Sequence, residues 1–494
     1  MRRLSSRAGA VFDNSEALCY DWPDMGKHVL LVAPYIHDFA AFDLWLKPLG
    51  LLYVAAAALE AGYDTRVVNC LDRLHPESSS ASGSRPSRSY GDGRGKFRSE
   101  IIAKPASLAK VPRQYKRYGV PLDAFRRQVS EGPRPDAIGV GSMMTYWWGG
   151  VAETIALLRD IFPDSPVILG GVYATLCAEH ARRLSGADIV VKGPGEEKFV
   201  DVLRGEIGGN ESGKTVPARL RPAYHLLGSL DSVSMLTSFG CPFSCAYCAS
   251  RLLRHGFFQR PVRDVVEEIA HYAVEMKIKN IAFYDDALLV NAEKHIKPVL
   301  REVVARGLKL RFHTPNGLHA SMIDGELAAL MWEAGFATVR LSIESVDEAR
   351  LKDSCMKVTP KGFETAISHL TAAGYDSSNL EAYVLMGAPG QCPDEVERTI
   401  RFVHETGVAV RLADFSPIPG TEYFRAAVGH YGIDPAEPLY QNSSVLPHLV
   451  PSLREQYQVL KQSAKSMNSK VRGGALKQKP SHGRRSAANE RGSS

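Results

Sequence analysis

Residues 234–248, SMLTSFGCPFSCAYC, decide the interpretation of the chain, because they join a short apolar run to three cysteines within eight residues. The run SMLTSF has the composition of a buried β-strand, and Gly240 marks the place where that strand ends. The cysteines follow with C-x3-C-x2-C spacing, as Cys241, Cys245 and Cys248. Loops this short allow three thiolates to bind one inorganic centre. The sequence therefore predicts a metal or iron–sulfur site at the carboxyl end of a strand.

The same strand opens a series in which strands and helices alternate from about residue 230 to 430. The predicted strands are SMLTSF, NIAFYDD, KLRFHTPN, ATVRLSIES, NLEAYVLMG and AVRLADFSP. Consecutive parallel units with right-handed crossovers keep their helices on the outside, so we expect a six-unit partial (β/α) TIM-type barrel. Functional groups in such a barrel lie at the carboxyl ends of the strands, where these segments carry polar tails.

A second α/β series precedes the barrel, over residues 26–205. Its predicted strands are HVLLVAPY, DTRVVNC, DAIGVGSMM, PVILGG and DIVVKG, and helical stretches separate them. This order predicts an open, doubly wound parallel sheet of the Rossmann-like type. Residues 76–98, PESSSASGSRPSRSYGDGRGKFR, contain seven serines and no apolar periodicity. We expect them to form a mobile, disordered insertion at the rim of the sheet.

Composition and charge argue against several classes of protein. Hydrophobic residues make up 45% of the 494 residues and charged residues 23%, which is ordinary for a folded protein. No apolar run reaches the roughly 18 residues of a membrane span, and no export signal is evident, so we expect a cytoplasmic protein without a membrane partner. The whole chain carries a net charge of +6, but residues 465–494 alone carry +7, so the remaining residues carry 6 − 7 = −1. We therefore expect no nucleic-acid-binding face on the body of the protein. We expect a helical extension over 431–464 and a disordered basic tail over 465–494.

The cysteine triplet has two alternatives to an iron–sulfur cluster. Structural zinc needs a fourth ligand, and the nearest candidate, His255, lies seven residues beyond Cys248 without a paired partner. A redox disulfide motif needs C-x-x-C alone, not three cysteines. A [4Fe-4S] cluster with three protein ligands leaves one iron open. We favour the cluster, and we interpret the other five cysteines as buried or incidental thiols.

The segment CPFSCAYC at the end of the first strand of such a barrel resembles the radical S-adenosylmethionine (SAM) superfamily. The signature of that family is C-x3-C-x-aromatic-C, and Tyr247 holds the aromatic position. The resemblance covers about residues 230–430. It implies that SAM chelates the open iron, and that one electron from the reduced cluster cleaves SAM to methionine and a 5′-deoxyadenosyl radical. It also implies an external electron donor such as a flavodoxin or ferredoxin, while the protein supplies positioning and water exclusion.

The resemblance assigns SAM-binding residues to the strand ends, beginning with Tyr247 near the adenine. Asp285 and Asp286, in AFYDDALL, stand where many members carry a Gly-Gly-Glu that meets the SAM amino group, so the chain departs from the family pattern there. The ribose and the methionine carboxylate are assigned to residues that follow the third and fourth strands: Asn316, Ser342 and Glu344. Cys355, in KDSCMKVT, is a candidate catalytic residue, because some members use a further cysteine covalently or as a hydrogen donor.

The N-terminal sheet resembles that of the cobalamin-binding branch of the superfamily, on the segments LGLLYVAAAALE, ILGGVYAT and VVKGPGEE. This implies a corrinoid between the two domains, with its upper face toward SAM. We expect the residues that bind it at the carboxyl edge of the sheet: Ser142, Gly170, Gly171, Gly193, Gly195 and Glu196. No D-x-H-x-x-G motif supplies the histidine that ligates cobalt in corrinoid mutases. Trp147 and Trp148 either cover a corrinoid face or pack against the barrel.

The resemblance predicts a radical SAM enzyme with cobalamin that methylates, or otherwise modifies, an unactivated carbon of a small metabolite. In the methylation version, one SAM methylates the corrinoid, and a second supplies the radical that abstracts hydrogen from the substrate. The main alternative is a radical SAM enzyme without functional cobalamin that catalyses rearrangement, oxidation or cyclisation. Less favoured are tRNA methylthiolation, which brings a second cluster and an RNA-binding domain, and an iron–sulfur redox sensor.

Overall fold

The chain folds into an open parallel sheet followed by a partial barrel, which confirms the predicted fold class. The computed structural model describes residues 26–79, 85–208, 220–355 and 358–478. Over these ranges, no helix has the length and apolar content needed to cross a membrane.

The N-terminal region contributes the first set of elements. Its strands are β1 (His28–Ala33), β2 (Ile36–Asp38), β3 (Asp64–Asn69), β4 (Arg88–Ser89), β5 (Gly95–Lys96), β6 (Ser99–Ile101), β7 (Lys116–Tyr118), β8 (Ala137–Val140), β9 (Val167–Leu169) and β10 (Ile189–Val190). Its α-helices are α1 (Leu49–Glu60), α2 (Leu122–Ser130), α3 (Trp148–Ile161), α4 (Val172–Leu176), α5 (Ala178–Leu184) and α6 (Glu196–Ile207).

Five of these strands form one parallel sheet in the order β10-β9-β8-β1-β3. Strands β1, β8 and β9 are almost continuous runs of buried apolar residues, as expected where helices cover both faces of a sheet. The direction of winding reverses between β1 and β8. The carboxyl ends of these two strands therefore flank the crevice in which a doubly wound sheet binds its ligand.

The barrel contributes the second set of elements. Its strands are β11 (Val233–Met235), β12 (Ser238–Gly240), β13 (Phe257–Gln259), β14 (Asn280–Phe283), β15 (Arg311–His313), β16 (Leu318–His319), β17 (Phe336–Glu344), β18 (Leu380–Met386) and β19 (Ala409–Asp414). Its helices are α7 (Ser250–Leu253), α8 (Val262–Val274), α9 (Ile296–Ala305), α10 (Gly325–Ala334), α11 (Glu348–Asp353), α12 (Pro360–Ala373), α13 (Pro393–Glu405) and α14 (Glu422–Tyr431). The parallel order β11-β14-β15-β17-β18-β19 follows the chain, and β16 pairs with β17.

A tryptophan from the N-terminal region fills part of the barrel interior. Trp45 is 0% exposed, and its ring stacks on the ring of His313 in β15 with 4.1 Å between the ring centroids. Burial lowers the pKa of His313 to about 3, so this histidine is a neutral ring at physiological pH. The Ser234 hydroxyl, on β11, donates a hydrogen bond to the carbonyl of Trp45. The N-terminal region therefore contributes a side chain to the interior of the barrel.

Residues 85–98 were predicted to be disordered, and the structure corrects this. Strands β4 and β5 pair as an antiparallel hairpin that lies against the amino-terminal end of the barrel. The indole N–H of Trp45 donates to the carbonyl of Asp92 at 2.6 Å, and the Arg311 guanidinium donates to the carbonyl of Gly91. The composition was misleading because partners far away in sequence, rather than an apolar core of its own, order this hairpin. Of the remaining predicted insertion, residues 80–84 lie outside the described ranges.

The segment after the barrel also differs from its prediction. Two helices, α15 (Leu446–Leu449) and α16 (Pro451–Gln478), follow it, so residues 465–478 are helical rather than disordered. The Asn468 side chain donates to the carbonyl of Val410 and accepts from the N–H of Val410, so it pairs with the backbone of edge strand β19. The basic residues up to Arg472 thus belong to a packed helix. Residues 479–494 lie outside the described ranges.

Candidate active site

The cysteine loop lies between the paired antiparallel strands β12 and β13. Gly240 has a φ of +76°, and a Cβ at this position would lie 2.1 Å from the carbonyl oxygen of Gly256, so the turn requires glycine. Cys241 follows at once and is buried, Cys245 is partly buried and Cys248 is exposed. None of the three forms a disulfide bond. The donor set therefore suits an iron–sulfur cluster, whose ligands are cysteine thiolates.

Backbone hydrogen bonds from two other segments hold this loop in place. The N–H of Ala246 donates to the carbonyl of Asp353, and the N–H of Tyr423 donates to the carbonyl of Ala246. Cys355 lies on the first of these segments, and its Sγ is 3.6 Å from the hydroxyl of Ser244, inside the cysteine loop. This contact places Cys355 beside the cysteine loop, and its catalytic role remains a prediction.

The carboxylate of Asp285 binds the chain that leads into the cysteine loop. Its carboxylate is buried and accepts hydrogen bonds from the backbone N–H and the hydroxyl of both Thr237 and Ser238, at 2.6–3.1 Å. Burial raises the pKa of Asp285, and these four donors counteract part of that shift. Asp285 therefore anchors the chain before the cysteine loop, and its assignment to SAM remains a prediction.

The other proposed SAM residues lie around the mouth of the barrel. Tyr247 packs against the ring of Tyr423, and burial raises its pKa. Glu344 ends β17 close enough to Tyr247 for its charge to contribute to that shift. Ser342 is buried on the same strand, and the Asn316 amide donates to the carbonyl of Tyr284 at 2.9 Å. The structure thus brings these four residues to one end of the barrel.

Asp286 is the remaining SAM candidate, and it differs from its neighbour Asp285. Its side chain is exposed, although the protein atoms crowded around its carboxyl raise its pKa. Of the two acids, Asp286 is the one that remains available to a ligand. Across the described ranges, no three His, Cys, Asp or Glu side chains are placed to hold a single metal ion.

A cavity of about 450 Å³ lies between the parallel sheet and the barrel. Ala33 and Pro34 after β1, and Gly141 and Ser142 after β8, line it, so it occupies the crevice where the winding reverses. The residues predicted to bind cobalamin all line this one cavity: Ser142, Gly170, Gly171, Gly193, Gly195 and Glu196. Most of the lining surface is apolar, which suits a large cofactor placed between two domains.

Two hydroxyl groups fix the glycine loops of this cavity. The Ser142 hydroxyl donates to the carbonyl of Gly170 at 2.6 Å. The Thr175 hydroxyl donates to the carbonyl of Gly171 at 2.7 Å and accepts from the N–H of Gly193 at 2.9 Å. Thr175 was missed by the sequence analysis, although it ends the segment ILGGVYAT. The polar groups of the cavity wall are therefore already ordered before any ligand binds.

An ion pair crosses the cavity from one domain to the other. Arg254, six residues after Cys248, is 2.5 Å from Glu196 at the start of α6, and both side chains line the cavity. The guanidinium also lies over the ring of Phe239. Nothing in the sequence singled out Arg254, because its partner is 58 residues away. This pair links the cysteine region to the glycine-rich edge of the sheet.

Neither tryptophan of the pair at 147–148 lines the cavity. The indole N–H of Trp147 donates to the carboxylate of Asp38 at 2.7 Å, and the ring of Trp148 packs against His180. The two tryptophans thus pack within the N-terminal region, rather than against the barrel as the second interpretation had it.

Comparisons with known proteins found a match for each of the two regions, the N-terminal sheet and the barrel. A model of the radical SAM superfamily matches residues 235–403, and a model of the B12 binding domain matches residues 112–203. An uncharacterized methyltransferase of Pyrococcus horikoshii is 26% identical over 332 residues, which are 60% of this chain and 70% of that protein. The cytidylyl-2-hydroxyethylphosphonate methyltransferase of Streptomyces wedmorensis is 22% identical over 463 residues, 80% of each chain.

A solved structure shares the fold over most of the chain. The radical S-adenosylmethionine methyltransferase TsrM from Kitasatospora setae, with cobalamin and a [4Fe-4S] cluster bound, superposes with a TM-score of 0.59. The match covers 85% of each chain at 17% identity. The two family matches show that this chain combines a radical SAM domain with a B12-binding domain, the combination expected of the cobalamin-binding branch of the radical SAM superfamily.

Proposed function

We propose that this protein is a cobalamin-dependent radical SAM methyltransferase that acts on an unactivated carbon of a small molecule. The observation that carries the proposal is the position of the cavity. Leu236, five residues before Cys241, and Leu253, five residues after Cys248, line the same cavity as the glycine-rich edge of the sheet. A corrinoid in that cavity would lie next to the cysteine loop, as a reaction that uses both groups requires.

The residues fit the cofactors of the family. Cys241, Cys245 and Cys248 would hold the [4Fe-4S] cluster, and Tyr247, Asp286, Asn316, Ser342 and Glu344 would hold SAM. The corrinoid would contact the backbone at Gly170, Gly171, Gly193 and Gly195, where the absence of side chains permits close approach. When bound, these groups supply a 5′-deoxyadenosyl radical for hydrogen abstraction and a methyl group for transfer.

The protein itself contributes positioning and the exclusion of water. Asp285 anchors the start of the cysteine loop, and Ser142 and Thr175 fix the glycine loops on the opposite side. Trp45 and the β4–β5 hairpin close the amino-terminal end of the barrel, so a substrate enters from the mouth. Apolar walls around the cavity keep water from a reactive intermediate.

The electron donor would approach the exposed side of the cysteine loop. Cys248 is exposed, and Arg251 and Lys352 are exposed on the segments next to the loop. These cations suit an acidic protein such as a flavodoxin or ferredoxin. The donor would thus reach the cluster without passing through the substrate cavity.

Two findings favour methyl transfer with cobalamin over a radical SAM reaction without it. The B12-binding match covers 112–203, and the cavity lies at the edge of that domain. Two relatives are named methyltransferases, and this chain matches 70% and 80% of their lengths. Together they support the methyltransferase assignment.

Anaerobic reconstitution of the full chain tests this proposal. We expect about four irons and one corrinoid per chain, and 5′-deoxyadenosine release when SAM and dithionite are added. The C248A variant should lose iron and SAM cleavage, while C392A, which alters an exposed cysteine outside the loop, should keep both. A chain that binds the cluster and cleaves SAM but takes up no corrinoid would contradict the proposal and favour the reaction without cobalamin.

A further inference from the structure

Arg340 is a fully buried cation on the inner face of the barrel. Val339, Leu341 and Ile343 of β17 belong to the apolar core under the surrounding helices, so Arg340 and Ser342 alternate onto the opposite, inward face. Arg340 precedes Ser342 by two residues and therefore lies one side-chain layer deeper in the barrel than the proposed SAM site. Its side chain is 0% exposed.

The guanidinium of Arg340 uses only one of its donor nitrogens. The Nε donates to Glu381 at 3.2 Å, and the Cζ lies 5.8 Å from the centre of the Trp45 ring. The two terminal nitrogens, Nη1 and Nη2, are buried and have no hydrogen-bond partner among the described residues. Four N–H groups of a buried cation are thus left without an acceptor, an arrangement that is costly unless a ligand supplies one.

The charge around Glu381 is also out of balance. Its carboxylate pairs with three guanidinium groups, those of Arg340, Arg411 and Arg472. Desolvation raises the pKa of Glu381, but the nearby cations more than offset this and hold the pKa below its usual range, so Glu381 is ionised. One negative charge therefore faces three positive charges. An additional anion would satisfy both the charge and the free N–H groups.

We propose that Arg340 binds a carboxylate or phosphoryl group of the substrate at the closed, inner end of the barrel. The two terminal nitrogens of arginine match two oxygens of either group in a bidentate pair. The inference rests on the proposed function, because it names the chemical class of that enzyme's substrate. The reacting carbon would then lie between this anchor and the mouth, where the cysteine loop and the cavity meet.

Anion binding by the full-length, cluster-loaded protein tests this assignment without turnover. Inorganic phosphate is titrated at constant ionic strength, with chloride as the reference, and binding is followed by calorimetry and by melting temperature. We expect R340M to weaken phosphate binding at least tenfold and R340K to weaken it less, because lysine keeps the charge but loses the bidentate geometry. Arg401→Met is the control and should leave phosphate binding unchanged, since Arg401 is an exposed arginine of α13 that pairs with Glu397 rather than with Glu381.

Stability separates a ligand-binding role from a structural one. Without phosphate, R340M should melt at the same temperature as the wild type or higher, since a buried cation with unsatisfied donors has been removed. A fall in melting temperature of more than about 3 °C, with phosphate binding unchanged, would show that Arg340 is only a packing residue. Absence of phosphate binding by the wild type would also overturn the proposal.

The carboxylate of SAM is the other possible source of the anion, so SAM binding is measured in the same variants. We expect R340M to change SAM affinity less than twofold. A tenfold loss of SAM affinity in R340M, with phosphate competing against SAM, would assign Arg340 to SAM and overturn the substrate assignment. None of these measurements requires cobalamin, so failure of the proposed methyl transfer would be seen separately.

Discussion

Asp285 accepts hydrogen bonds from both the backbone N–H and the hydroxyl of Ser238, at 2.7 and 2.6 Å. Thr237 donates to the same carboxylate through its own N–H and hydroxyl. Ser238 begins β12 and lies three residues before Cys241, so one carboxylate, two residues after β14, fixes the strand from which the cysteine loop starts. Asp285 therefore positions the segment that leads into the cysteine loop.

We expect D285N to destabilise the protein and to lower its iron content after reconstitution. The amide keeps one oxygen, but its NH2 group would face N–H and hydroxyl donors that it cannot accept from. Loss of buried, charge-assisted hydrogen bonds costs about 2–4 kcal/mol. Unfolding in urea and iron analysis measure the two effects. D160N, at an exposed acid on α3, is the control and should keep its iron; equal iron loss in both variants would contradict the role given to Asp285.

The cobalamin site can be blocked at Gly170 without disturbing the fold. Gly170 lines the cavity, has no positive φ, and a Cβ there would meet no heavy atom within 4 Å. A valine at this position therefore projects into the cavity rather than into the protein. We expect G170V to fold as the wild type does and to lose at least tenfold in corrinoid affinity, measured by absorption titration.

Two other glycines provide control variants for this experiment. Gly205 is exposed on α6 and has equally open surroundings, so G205V should leave corrinoid binding intact. Gly171 has a φ of +95°, and its Cβ would lie 2.2 Å from the Ser142 carbonyl oxygen, so G171A should destabilise the fold itself. Wild-type corrinoid affinity in G170V would show that the corrinoid binds elsewhere.

The sequence was sufficient to predict the strand order and the edges where ligands bind. The six residues predicted for cobalamin line one cavity because parallel strands bring their carboxyl ends to the same edge. It could not show which way a side chain points at a strand end, so it did not reveal that Asp285 binds Thr237 and Ser238. It also could not show that a serine-rich segment is ordered by contacts such as that of Trp45 with Asp92, because those partners are 47 residues apart.

Trp45 should prove to be a major stabilising residue. Its ring is buried inside the barrel against His313, and its indole N–H is bonded to Asp92. Replacing a buried tryptophan by alanine leaves a large cavity and costs about 3–5 kcal/mol. We expect W45A to unfold at a markedly lower urea concentration. W332A removes a tryptophan that is 46% exposed and should cost much less; similar losses in the two variants would argue against Trp45 as an interior packing residue.

Glu381 should make the protein sensitive to acid. Its pKa in the folded protein lies below the value of about 4.3 expected when unfolded, so its stabilising effect is complete above that pH and is lost as the pH falls through the folded pKa. Replacing it by glutamine leaves Arg340 buried without its counter-charge, which costs about 3–5 kcal/mol near pH 7. We expect the difference in unfolding free energy between wild type and E381Q to be largest at pH 6–7 and to shrink below about pH 4.3. Urea titrations across this range measure it, with E333Q, at an exposed acid, as the control that should track the wild type at every pH. A difference that does not change with pH would mean that Glu381 acts through packing, not through its charge on the three arginines.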